Sequence, residues 1–291
     1  MGSDAGVVEQ EISADAAFEV LGHATRLAIV EALGRADEAL SFSALRDRVG
    51  ERDSGQFNYH LDKLRDTFVT QTENGDYELS YSGAQVFGAV LAGRYTKTAD
   101  VEEVPVEGTC PACGAALTGE YQGRTFTVDC PECDETITSY PIPPGVLEPY
   151  DIEEYGSVAS KYLWSRHTVF EHGFCEMCGG PLDILVNPVE AEESEAMVSV
   201  AWDCRRCGVG MESALPAALM NDPRVQMFAA DHGEDLDVPI WEADWLLRGD
   251  AEILAEDPLR VRTTVELADE RLELVVDGSL TVLEDERVSI E

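Results

Sequence analysis

The eight cysteines of this chain fall into four Cys-x2-Cys pairs, Cys110/Cys113, Cys130/Cys133, Cys175/Cys178 and Cys204/Cys207, with none left over. The pairs group two by two across intervals of 16 and 25 residues. Each pair offers two thiolates from one tight turn, and a hairpin that brings two such turns together completes a tetrahedral four-sulfur site. The pattern therefore demands two small sheets, each closed by a metal ion. Disulfides are a poor alternative, because the cysteines are sparse in a chain of 291 residues and neither a secretory leader nor an apolar run of membrane-spanning length is evident. A protein of the reducing cytoplasm, without a membrane partner, is expected.

Four thiolates leave no coordination position open for water, so two structural zinc ions per chain in two zinc ribbons are expected, and catalysis at the metals is not. Cys110-Pro-x-Cys113-Gly and Cys175-x-x-Cys178-Gly also resemble rubredoxin knuckles, which makes iron the alternative metal.

Acidic residues number 58 against 20 basic ones, of which only Lys63, Lys97 and Lys161 are lysine, for a net charge of -38. Such a balance ordinarily argues against nucleic acid as a partner, since phosphate contacts dominate affinity. The distribution of charge weakens that objection. Residues 18–98 carry nine basic and twelve acidic side chains, so almost all the excess acid lies elsewhere. An acidic, lysine-poor surface resembles that of proteins from salt-in halophilic archaea. At 1 M salt the Debye length is only about 3 Å, which removes most long-range repulsion from DNA. An acidic interaction protein from an ordinary cell is the other reading.

Met1 to Gln10 have no apolar period, and disorder is expected there. From Ala16 onward Phe18, Leu21, Leu27, Ile29, Val30 and Leu33 recur at helical spacing, with a break at Gly22-His23 and a stop at Gly34. Ser41 or Ser43 caps a short helix carrying Phe42, Leu45 and Val49, which Gly50 ends; Asp53-Ser54 caps the next, where Phe57, Leu61 and Leu64 form one apolar stripe. Two short helices joined by a turn make a helix-turn-helix. The opposite face carries Gln56, Tyr59 and Lys63, flanked by Asn58, His60 and Asp62. Gln and Asn bond adenine bidentately, and Lys63 and Tyr59 suit guanine edges or phosphates. Tyr59 fits the edge of the core equally well, and His23 and His60 read as packing or helix-surface residues rather than ligands. Phe68 to Ser80 reads as two strands around a two-residue Asn74-Gly75 turn, and Val86, Phe87, Val90 and Leu91 mark a further helix.

Leu21-Gly-His-Ala-Thr-Arg26-Leu-Ala-Ile-Val-Glu-Ala-Leu33, then Gln56-Phe-Asn-Tyr-His60-Leu61-Asp-Lys-Leu64 and the hairpin, resemble the ArsR-type winged-helix transcriptional regulators over residues 16–95. The resemblance implies a homodimer with paired outer helices and two recognition helices on a pseudo-palindromic double-stranded DNA site. It makes Gln56, Asn58, Tyr59, His60 and Lys63 the groove-facing candidates and Arg26, Arg52 and Arg65 candidate phosphate clamps. Residues 41–60 contain no cysteine, so the arsenic or cadmium sensing of metal-responsive members is not implied. The hairpin carries Glu73, Asp76 and Glu78 and no basic residue, which makes it a poor phosphate clamp. Winged helices also serve as protein-docking modules.

Residues 99–108 read as an acidic link, Glu120 to Val128 as hairpin strands of the first ribbon, and 150–172 as helix. Pro181 to Val186 and Met197 to Trp202 read as strands of the second ribbon around an acidic loop, Glu190 to Glu195. The ribbons form an imperfect repeat with first cysteines 65 residues apart. Leu215 to Ala230 reads as helix interrupted at Asp222-Pro223, and the alternating tail from Arg260 as antiparallel strands. Trp164, Trp202, Trp241 and Trp245 read as core, or as the walls of a pocket for an unidentified effector.

The expected fold is α+β, with an N-terminal winged helix-turn-helix, two four-cysteine zinc-ribbon modules and a C-terminal antiparallel β region. The expected segments are a disordered 1–13, a DNA-binding 14–98, a first ribbon 106–140, a connecting helix 146–172, and a second ribbon with an α/β region over 173–291. No phosphate-cradling glycine motif, nucleophile elbow or zinc-hydrolase motif appears. The expected function is sequence-specific transcriptional regulation as a dimer on promoter DNA, not enzyme catalysis. A basal or polymerase-associated factor that docks protein through the same modules is the alternative.

Overall fold

The computed structural model describes residues 12–189, 197–234, 238–247 and 250–290; the expectations for Met1 to Gln10 and for the loop Glu190 to Glu195 lie outside them. The chain divides between Lys97 and Thr98 into two compact units, together a mixed α+β protein with antiparallel sheets.

In the first unit, α1 (Ala14–Leu21) and α2 (Ala24–Gly34) part at Gly22-His23, where the His23 imidazole accepts the Thr25 N–H at 3.2 Å and caps α2. Helix α3 (Phe42–Val49) begins at Ser41, whose hydroxyl accepts the Ala44 N–H at 3.3 Å, and ends at left-handed Gly50. The Asp53 carboxylate accepts the Gly55 and Gln56 N–H groups at 2.8 and 3.0 Å and starts α4 (Ser54–Leu64). Each cap satisfies N–H groups that a helix end otherwise leaves open, at about 1 kcal/mol apiece.

Strands β1 (Val69–Gln71) and β2 (Tyr77–Leu79) form a hairpin beside Leu40, which exchanges two backbone hydrogen bonds with Tyr77. Its turn differs from the two-residue Asn74-Gly75 turn expected. Thr72 and Asp76 still pair, Gly75 N–H donates to the Thr72 carbonyl at 2.9 Å, and Gly75 has φ 88°. This is a three-residue loop, a type I turn closed by a left-handed glycine. Helix α5 (Tyr81–Leu91) completes the unit. Its Gly83 lies so near the hairpin that a Cβ there would stand 2.0 Å from the Phe68 carbonyl oxygen. The core comprises Ile29, Val30, Leu33, Leu45, Phe57, Leu61, Leu64, Phe68 and Val69, while α1 buries no residue.

The second unit opens with β3 (Ala99–Val104), β4 (Thr118–Gly123), β5 (Thr125–Asp129) and β6 (Thr136–Pro141), hydrogen-bonded in that order. The segment 99–108, expected as a link, thus supplies an edge strand, which the distant strand β4 pairs along one side. A short α6 (Pro144–Leu147) and long α7 (Tyr155–Glu171) lead to β7 (Leu182–Val189), β8 (Met197–Cys204) and β9 (Gly210–Ala214), again in sequence order. After α8 (Leu215–Ala218), α9 (Pro223–Asp231) and α10 (Asp244–Leu247), the strands β10 (Ala251–Glu256), β11 (Leu259–Leu267), β12 (Glu270–Asp277) and β13 (Val282–Ser289) form a meander.

Two cores organise this unit. Val261, Val265, Leu272, Leu274 and Val276 on one face of the meander share a core with Trp202, Val200, Phe170 and Phe228. The other core gathers Tyr121, Phe126, Val128, Ile142, Leu147 and Ala159 around Trp241, whose ring centroid lies 5.9 Å from that of Phe126. A tryptophan from the C-terminal third therefore closes the core of the first four-cysteine module. Trp202 and Trp241 are 0% and 1% exposed and belong to these cores. Among the described residues, no helix is long and apolar enough to cross a membrane.

Candidate metal centres and nucleic-acid interface

All four Cys-x2-Cys pairs adopt one turn. The N–H of the first cysteine donates to the carbonyl five residues on (Ala115, Glu135, Gly180, Val209) at 2.8 to 3.0 Å. Its carbonyl in turn accepts the N–H four residues on, at 2.8 to 3.1 Å. That fourth residue must be left-handed: Gly114, Gly179 and Gly208 have φ 76°, 65° and 73°, and Asp134 adopts φ 57° in the second knuckle. Glycine carries no Cβ penalty there, and aspartate is among the few other residues that enter this region.

The hairpins bring the knuckles together in pairs. Cys110 Sγ lies 3.6 Å from Cys133 Sγ and Cys113 Sγ 3.4 Å from Cys130 Sγ; the second module repeats the pairing with Cys175 to Cys207 at 3.6 Å and Cys178 to Cys204 at 3.5 Å. Within each cluster all sulfurs lie within 4.8 Å of one another. A disulfide needs about 2.05 Å between its sulfurs. Four sulfurs about 2.3 Å from one tetrahedral ion stand about 3.8 Å apart, close to the spacings found. Gly180 N–H points at Cys178 Sγ and Arg206 N–H at Cys204 Sγ, both at 3.4 Å, a contact that favours thiolate.

Charge in the clusters is uneven by itself. The Cys207 backbone N–H, with that of Arg206, pulls the Cys204 thiol down to about 6 against its burial. The Val209 N–H favours ionised Cys207, yet burial and the neighbouring sulfurs outweigh it and push that thiol up to about 12. A divalent cation reverses this repulsion and holds four thiolates at once. The two clusters thus have the geometry and donor chemistry of two metal sites per chain.

The histidines stand apart from both clusters. His167 is buried, its Nδ1 3.1 Å from Glu171 Oε1 and its ring edge-on to Trp202. His172 and His232 place Nδ1 near the Thr168 and Phe228 carbonyls.

In the first unit, Phe57, Leu61 and Leu64 are fully buried, and Gln56, Asn58, Tyr59 and Lys63 are exposed. Gln56, Tyr59 and Lys63 share a stripe, with the Lys63 ammonium 5.7 Å from the Tyr59 ring centroid. Asn58 lies on the adjoining stripe, donating to Asp62 at 2.8 Å. Arg65 bonds both Asp62 and Gln71, tying α4 to the hairpin. Arg52 is exposed in the connection before α4, whereas half-buried Arg26 donates to the Glu19 carbonyl and holds α1 to α2.

His60 does not belong to this face. It is 5% exposed and stacked on His23 with ring centroids 4.1 Å apart, so it packs α4 against the α1–α2 junction. Burial first, then the His23 and Arg26 charges, lowers its pKa below the ordinary 6.5. The signal of its burial in the sequence is its spacing: His60 stands three residues after Phe57 and four before Leu64, at helical intervals along the buried stripe.

Residues 107–282 match the family described as domain of unknown function DUF7351, a span that contains both cysteine clusters. The chain belongs to the DUF7351 family. Residues 14–90, within the first unit, match a second domain of unknown function, DUF7347. No curated protein and no solved structure matches the chain. The metal clusters, α7 and most of the closing meander are thus parts of one DUF7351 domain.

Proposed function

We propose that this DUF7351 protein is a sequence-specific DNA-binding transcriptional regulator, with a winged helix-turn-helix in its first unit and two structural zinc ions in its second. The observation that carries the reading is helix α4: a fully buried stripe of Phe57, Leu61 and Leu64 backs an exposed stripe of Gln56, Tyr59 and Lys63. Helix α3 and α4 are the helix-turn-helix, α4 the recognition helix, and β1–β2 the wing. Gln56 and Asn58 read base edges, while Lys63 and Arg52 hold phosphate. Zinc is preferred over iron because four thiolates from two knuckles of one small sheet are the usual donor set of a structural zinc ion.

A homodimer fits the surface of the first unit. Phe18 on α1 is 73% exposed, and Tyr81 and Tyr95, at the start of α5 and just beyond it, are 82% and 77% exposed. Apolar side chains so placed call for a covering surface, and a second copy supplies one.

Genome-wide DNA occupancy of the tagged chain, against a Gln56/Asn58/Lys63 triple alanine variant, tests the reading. Discrete sites sharing a two-fold motif and lost in the variant are expected; signal unchanged in the variant defeats it. Metal analysis should find two zinc ions in a colourless protein. The acidic hairpin, with Glu73 and Glu78 exposed, favours a second reading, docking to polymerase, for which copurification of polymerase subunits is the test.

A further inference from the structure

The two four-cysteine modules share a backbone but not a surface. Between the cysteines the first presents Pro111-Ala112 and Pro131-Glu132; the second presents Glu176-Met177 and Arg205-Arg206. In a chain of 20 basic residues and net charge -38, adjacent arginines on a metal-held turn stand out.

The geometry gathers them with exposed apolar groups. Phe174, 57% exposed, bridges Pro181 across the base of the third knuckle, and the Arg205 N–H donates to the Pro181 carbonyl at 3.2 Å, so Phe174 and Arg205 flank the same residue. Arg206 lies along the third knuckle, its Nη1 3.4 Å from the Cys178 carbonyl, beside Met177, which is 61% exposed. Arg205 is ion-paired through Nε and Nη2 to a single oxygen of Asp183, and its side chain remains 62% exposed. The carboxylate within this knuckle, Glu176, is turned inward to Tyr140 and Arg166 and stays off the surface.

We propose that this knuckle tip is a second contact with duplex DNA, in which Arg205 and Arg206 hold the phosphate backbone and Phe174 and Met177 lie against the sugars. Charge complementarity selects the occupant. Guanidinium groups bind phosphate oxygens in a fixed fork, and a metal-held turn presents them with little conformational freedom left to lose. Backbone contacts of this kind add affinity and register without sequence information, which the exposed stripe of α4 supplies. The proposal rests on the DNA-binding reading above and assigns the second unit a share in it.

The test measures binding of the metal-loaded chain of 291 residues to fluorescein-labelled mixed-sequence duplex DNA over a KCl series. An Arg205→Gln/Arg206→Gln variant is expected to bind about ten-fold more weakly, with a salt slope shallower by about two. Met177→Lys adds a charge at an exposed position and is expected to bind more tightly with a steeper slope. A role confined to neutralising the thiolates would change metal retention and leave the slope alone, which overturns the proposal. So does native affinity in both variants while the Gln56/Asn58/Lys63 variant is defective, an outcome that leaves the reading of α4 standing. Failure of the native chain to bind duplex overturns both. Loss of an acidic protein partner from the arginine variant, with DNA binding intact, reassigns the tip to protein.

Discussion

The Tyr140 hydroxyl donates a 2.6 Å hydrogen bond to Glu176 Oε1, and Glu176 lies between the ligating cysteines Cys175 and Cys178. Tyr140 belongs to β6 of the first module, so one hydrogen bond joins the sheet of one cysteine cluster to a metal-binding turn of the other. Burial first, then Glu176, pushes the phenol far above its ordinary value of 10, which favours the neutral, donating hydroxyl. Tyr140→Phe removes this short contact and leaves half-buried Glu176 facing Arg166, 3.7 Å away. The cost expected is about 1–3 kcal/mol. Denaturant unfolding followed by tryptophan fluorescence measures it, and a chelator assay should show faster release from the second cluster; native values in both would refute the coupling.

Trp241 should matter more to the first cluster than to the second. Its ring is fully buried in the core that contains Cys110 and Cys130, far in sequence from either. Trp241→Ala removes a large buried ring at about 3–5 kcal/mol. Metal release read separately in chains lacking one cluster or the other distinguishes the effect. Equal acceleration at both clusters would count against it.

Asp134 is the only non-glycine among the four left-handed knuckle positions. Stability of the second unit should follow the order Gly, Asp, Val at this site, spanning about 1–2 kcal/mol. Urea midpoints of Asp134→Gly and Asp134→Val against the native chain check the order. An Asp134→Val variant as stable as Asp134→Gly would contradict it.

Buried His60 makes the first unit sensitive to acid. Its pKa is depressed in the folded state, so below 6.5 the unfolded chain binds the proton more readily and stability falls with pH. All four tryptophans lie in the second unit, so helical circular dichroism without a matching fluorescence change reports the first. Its thermal midpoint should drop between pH 7.5 and pH 5, and His60→Phe should flatten that drop. An equal drop in the variant would remove His60 as the cause.

Much of the local architecture is legible in the sequence because its causes are local. Ser41 and Asp53 cap helices through N–H groups two or three residues away, and the Phe57, Leu61 and Leu64 stripe needs only helical spacing. The Asn74-Gly75 turn is one residue longer than the dipeptide suggests, since the same pair serves two- and three-residue loops and only strand pairing decides between them. Strand β3 is hidden in an acidic segment whose pairing partner β4 lies beyond the first knuckle.

The sequence by itself determined the eight sulfur ligands, their division into two clusters and the turn that each pair adopts. Ligand chemistry and hydrogen bonds spanning five residues leave those features little choice. The tertiary structure alone decided that His60 stacks on His23, that Trp241 closes the core of the first cluster, and that Glu176 leaves the surface for Tyr140 while Arg205 and Arg206 stay on it. Each of these depends on a neighbour far away in the chain, and such a contact is fixed only when that neighbour arrives.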